Sequence, residues 1–167
     1  MSVTRAILAS WRDPRGVMRA HLARGVREDR ALATLMGACL MAFVAQWPAL
    51  SRAAHLDPSV PLDARLGGAL MATLFFLPPL AYALAAASHL AARALGGRGS
   101  WFGARMALFW SLLAISPLML VSGLVAGFAG SGPIVTATGL AVFAGFLFLW
   151  GNALVVAEGE AAGDAQT

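Results

Sequence analysis

The chain has 167 residues, a hydrophobic fraction of 59% and only 12% charged residues. Soluble domains run at about 45–50% apolar and about 25% charged, so a soluble globular domain, a disordered chain and a disulfide scaffold are all excluded. A helical membrane protein remains.

The net charge of +4 is carried by one end of the chain. All twelve basic residues are Arg. Residues 1–30 hold seven of them against three acids, and the remaining 137 residues hold five Arg and five acids. A basic segment beside a membrane points to anionic lipid rather than nucleic acid.

Residues 1–30 are expected to form a basic, amphipathic cytoplasmic tail that lies in the interface. Val3 to Trp11 make a first short segment, and Asp13-Pro14 a corner, since a residue before Pro disfavours helix. Continued as one helix, residues 14–30 place Arg19, Arg24, Arg27 and Arg30 within roughly 140° of one another. Val17, Met18, Leu22 and Val26 fill most of the opposite side. Such a face can meet lipid headgroups, pack under the bundle or dock a protein.

Four spans follow, at about 31–50, 66–95, 102–128 and 133–157. Met106 to Ala157 is uncharged for 52 residues. As one helix it would be about 78 Å long at 1.5 Å per residue, against a bilayer core of about 30 Å. It therefore divides at the Gly-rich turn before Pro133. Backbone in lipid must bond within its own segment, so each span is helical. Cys39 in the first span reads as a small packing residue, and a single Cys allows no intrachain disulfide. Pro78 and Pro79 in the second span and Pro117 in the third predict kinks. Gly123 and Gly127 in the third, and Ala83, Ala87 and Ala91 in the second, predict close helix packing.

The loop after the first span balances Arg52 and Arg65 with Asp57 and Asp63. The loop after the second has Arg93, Arg98 and Arg105 and no acid. The positive-inside rule puts the tail and that second loop in the cytoplasm. Both termini then face the cytoplasm of a bacterial inner membrane, with residues 158–167 a short acidic tail. Trp47, Trp101 and Trp150 fall at interfacial depths.

The span cores contain no Asp, Glu, Lys or Arg, where such groups usually mark transport or catalysis. No metal-ligand or nucleophile motif is present. No catalytic residue, cofactor or metal site is therefore expected, and the chain is expected not to be an enzyme. His89 and Arg93, four residues apart, could bind a lipid phosphate. Asn152, Thr136, Thr138, Ser111 and Ser116 read as groups that bond between helices.

One resemblance adds to this. The order Asp13-Pro14-Arg15, Leu77-Pro78-Pro79-Leu80-Ala81-Tyr82, Gly96-Gly97-Arg98-Gly99-Ser100, a segment from Arg105 through Trp110-Ser111, and Ile115-Ser116-Pro117-Leu118 resembles the bacterial branch of the Yip (Ypt-interacting protein) membrane-domain family, over roughly residues 5–157. The resemblance implies a polytopic helical domain with a cytoplasmic N-terminus. In eukaryotic relatives it implies binding of prenylated small GTPases, vesicle trafficking and membrane shaping. Those relatives typically have five spans against the four counted here, so fold and location carry over and GTPase binding does not. The expected role is a scaffold or accessory subunit that organises anionic lipid, a partner membrane protein or further copies of itself. The alternative is a small transporter component working through the kinked second and third spans.

Overall fold

The computed structural model describes residues 3–159, and among these every regular element is a helix. In chain order they are α1 (Val3–Ser10), α2 (Pro14–Leu22), α3 (Glu28–Leu56), α4 (Leu62–Met71), a π-turn (Ala72–Phe76), α5 (Leu77–Ala94), α6 (Trp101–Ala114), α7 (Ser116–Ala129) and α8 (Pro133–Gly159). Three stretches are long and apolar enough to cross a membrane: α3, the continuous run Leu62–Ala94, and α8. A fourth arises if α6 and α7, bent by 43° at their junction, form one span.

Exposure supports the membrane setting. Leu32, Met36, Leu40 and Val44 form an exposed apolar stripe on α3, and Phe76 is 72% exposed. Apolar patches this extensive need a covering, and lipid provides it. The protein is membrane-embedded.

The inner stripe of α3 reads Ala31, Leu35, Ala38, Cys39, Ala42, Ala45, at helical spacing. Its first half lies on α6 and its second half on α7. Small side chains let the backbones meet: a Cβ on Gly123 would strike the Ala45 carbonyl oxygen, and one on Gly127 would strike Pro48. α6 is the central element. Phe102, Met106, Leu108, Phe109 and Trp110 are all buried, as an all-apolar helix requires.

The prolines act in two ways. Pro78 and Pro79 cannot donate to the turn before them. The helix runs on through a π-turn instead, in which Leu77 N–H reaches Ala72 O. At Pro117 the helix breaks. Leu118 N–H bonds Ile115 O at 3.0 Å, and α7 leaves α6 at an angle.

Two expectations are corrected. Residues 14–30 are not one helix: α2 ends at Leu22, and Gly25, at φ 78°, turns the chain into α3. Glu28 and Asp29 then suit the first turn of α3, where the helix dipole favours negative charge. Arg19, Arg24, Arg27 and Arg30 thus do not share one helix face, and Val26 is 70% exposed. The buried stripe of α5 is Ala81, Ala85 and His89, while Ala83, Ala87 and Ala91 are exposed. Two residues rotate a helix by about 200°. The face holding His89 turns inward because its partner lies there.

Candidate functional site

That partner is Glu158, in the last turn of α8. His89 Nδ1 lies 2.6 Å from Glu158 Oε1, with the residues 1% and 6% exposed. Gly99 N–H donates to Oε2 at 3.2 Å, and Arg98 N–H to the Glu158 carbonyl at 3.0 Å. The Trp101 ring packs on the imidazole, centroids 4.4 Å apart. Gly99 is required here, because a Cβ would lie 2.7 Å from the Glu158 Cα. One carboxylate therefore ties α5, the 95–100 loop and α8 together. Arg93, paired with His89 by sequence, is exposed and stands apart from this contact.

The corner has no nucleophile. Of the nearby hydroxyls, Ser88 bonds the Ala85 carbonyl and Ser100 caps α6 through Gly103 N–H. No group of three or more His, Cys, Asp or Glu that could hold a metal exists among the described residues. What the arrangement does chemically is clamp: a buried charge is tolerable only when paired and hydrogen-bonded.

The second constellation is the N-terminal segment, which runs alongside the spans. Asp13 caps α2, accepting Gly16 N–H at 2.8 Å, with Pro14 in the first turn. Trp11 Nε1 donates to Ala114 O at 3.3 Å. That carbonyl is free because Leu118 N–H turns to Ile115 at the break before Pro117. Trp110 Nε1 donates to Ser10 Oγ at 2.9 Å, and Arg15 Nε to Asn152 Oδ1 at 2.9 Å. The Trp11 ring also fills the space over Gly145. Trp11 thus sits about 20 Å along α6 from Trp101, at 1.5 Å per residue. Trp11, Ser10 and Trp110 were not singled out as a contact by sequence. The usable signal was an indole N–H needing a partner and a Ser-Pro break freeing a carbonyl.

Arg27 pairs with Asp29 at 2.7 Å, Arg19 is exposed on α2, and only Arg24 and Arg30 converge, beside His21. His21 stacks on Trp110 with centroids 4.2 Å apart. Burial first, then Arg24 and Arg30, push its pKa down from 6.5 to about 4. Neutral in the folded chain, it takes up a proton more readily when undocked. Docking of α1–α2 should hold above pH 6.5 and weaken progressively from pH 6.5 toward 4. Amide exchange of residues 3–22 measures this, and His21→Phe should flatten the pH dependence.

Elsewhere, Ser122 Oγ donates to Thr138 Oγ1 at 3.3 Å between α7 and α8. Ser111 and Thr136 instead bond carbonyls of their own helix, Ala107 and Gly132 at its edge. Trp47 and Trp101 are about half-exposed, and Trp150 stacks on Phe146. Arg105 pairs with Glu28, and Arg52 donates to Phe128 O at 3.4 Å. These contacts put the ends of α5 and α8 and the starts of α3 and α6 at one pole, and Arg52 and Arg65 at the other. Residues 160–167, the rest of the expected acidic tail, lie outside the described residues.

No protein-family model matches the chain, and neither does any curated protein or solved structure.

Proposed function

We propose that the chain is a non-enzymatic, multi-pass protein of Yip type that crosses a bacterial inner membrane four times, both termini cytoplasmic, and acts as a scaffold or accessory subunit for lipid or a partner membrane protein. The observation that carries this is the docked basic segment. Three long-range hydrogen bonds, from Trp11, Trp110 and Arg15, make residues 3–22 a built part of the membrane domain. Arg12 and Arg15 stay exposed on it, as does Arg24 in the turn that follows. Arg24 and Arg30, beside the Glu28 that pairs with Arg105, add basic charge at the pole holding Arg93, Arg98 and Arg105, which suits a platform for anionic lipid or an acidic partner.

Two measurements test it. A reporter fused after Thr167 should be active in the cytoplasm, and activity confined to the periplasm would defeat the four-span count. Gentle extraction with crosslinking should recover a stoichiometric membrane-protein partner or bound anionic lipid. Proton-coupled solute uptake by the purified, reconstituted chain would replace this reading with a transporter.

A further inference from the structure

A groove of about 530 Å³ runs between α1, the end of α2, α3 and the α6–α7 junction. Most of its length is apolar: Ile7, Gly37, Leu40, Met41 and Leu113 line it, with Leu40 also open to the lipid side. Its mouth is basic: His21, Arg24 and Arg30 line it, and no carboxylate does. The nearest acids in sequence are engaged elsewhere, Glu28 with Arg105 and Asp29 with Arg27.

Two polar atoms at the mouth are buried with no hydrogen-bond partner, His21 Nδ1 and Arg30 Nη1. Buried polar groups are rarely left so, because an unmade bond leaves their loss of water uncompensated. His21 itself is more than nine-tenths buried and held against Trp110. An anionic oxygen meets both needs, accepting from the guanidinium and from an imidazole N–H. From Arg30 to Met41 the groove follows α3 for about 16 Å, at 1.5 Å per residue. It is therefore long and apolar beyond a compact cationic end.

We propose that this groove binds a single anionic phospholipid, its phosphate held by Arg24, Arg30 and His21 and one acyl chain lying along Gly37, Leu40 and Met41. This rests on the reading of the basic segment as a cytoplasmic-face element, which the reporter fusion tests separately. The shape sorts the candidates for the occupant. A free phosphate uses only the mouth, and a zwitterionic lipid brings a cation toward two arginines.

The test uses the purified full-length chain in detergent, titrated with dioleoyl phosphatidylglycerol or dioleoyl phosphatidylcholine and read by native mass spectrometry. One phosphatidylglycerol should be retained in preference to phosphatidylcholine. Arg24→Gln with Arg30→Gln should weaken that binding about 30-fold, from two basic contacts. Gly37→Leu, which fills the groove and leaves the arginines, should reduce lipid binding without changing displacement by inorganic phosphate. Arg24 is exposed in a turn, so Arg24→Gln alone should leave the fold intact and cost about fivefold. Equal affinity for the two lipids, or a preference unchanged in the arginine variants, would overturn the site. Phosphate competing as well as the lipid, with Gly37→Leu silent, would overturn the acyl-chain half and leave a headgroup site. A reporter result against cytoplasmic termini, with lipid selectivity intact, would remove the topology and keep the groove.

Discussion

Gly123→Ala is expected to destabilise the protein by about 1–3 kcal/mol, and Gly123→Leu by more. The reason is what the new Cβ meets. At Gly123 it meets the Ala45 carbonyl oxygen, part of a helix backbone that cannot rotate away as a side chain can. One turn on, Gly127 packs on Pro48 in the same way, so α3 and α7 cannot slide to relieve the clash. Gly139 gives the opposite sign. Nothing lies within 4 Å of its Cβ position, so Gly139→Ala should gain up to about 1 kcal/mol of helix propensity. Thermal unfolding in detergent, followed by circular dichroism, measures both. If the two alanine variants melt together, the α3–α7 contact is not the close seam described.

The second large effect lies at the opposite pole. Glu158→Leu should cost about 3–5 kcal/mol, because it leaves the buried His89 ring and Gly99 N–H without their acceptor. His89→Leu leaves the carboxylate buried with one backbone donor and should cost a similar amount. The double variant, apolar on both sides, should recover much of the loss, since replacing a buried pair by packed hydrophobic residues is often near neutral. A double-mutant cycle reads that coupling. The single Glu158 variant should also free the 95–100 loop, which Glu158 holds through Arg98 and Gly99. Faster tryptic cleavage after Arg98 would report it. Additive single effects, with the loop no more cleavable, would show that the clamp contributes nothing beyond packing.

Much of this architecture was legible because lipid imposes strict rules. An uncharged 52-residue stretch must be helical and must turn, and α7 and α8 indeed part between Ala129 and Pro133. Pro117 broke its helix for a local steric reason visible in one dipeptide. The form taken at Pro78-Pro79, a π-turn rather than a break, depended on which carbonyl an N–H could still reach. The tail was less legible. Periodicity over residues 14–30 described a helix that Gly25 interrupts, because a weak amphipathic pattern yields to one residue in the left-handed region.

The candidate sites were legible only as ingredients. His89 stood out as a titratable residue in an apolar run, yet its natural sequence neighbour was Arg93, one helical turn away. Glu158 is 69 residues distant, and only the packing of α8 against the α5–α6 corner, parallel to α5 and antiparallel to α6, brings them together. Likewise, Arg24 and Arg30 were two of four arginines on an imagined face. The turn at residues 23–27 separates them from Arg19 and leaves Arg27 to Asp29.

Composition and charge placement by themselves determined a helical membrane protein with a basic N-terminal segment, because desolvation in lipid penalises every alternative. The tertiary structure alone decided which polar groups meet: Trp11 with Ala114, Arg15 with Asn152, His89 with Glu158. Each of these pairs satisfies a donor or acceptor that burial would otherwise strand, and that demand is met by whichever element the packing of small residues brings within reach, not by sequence proximity.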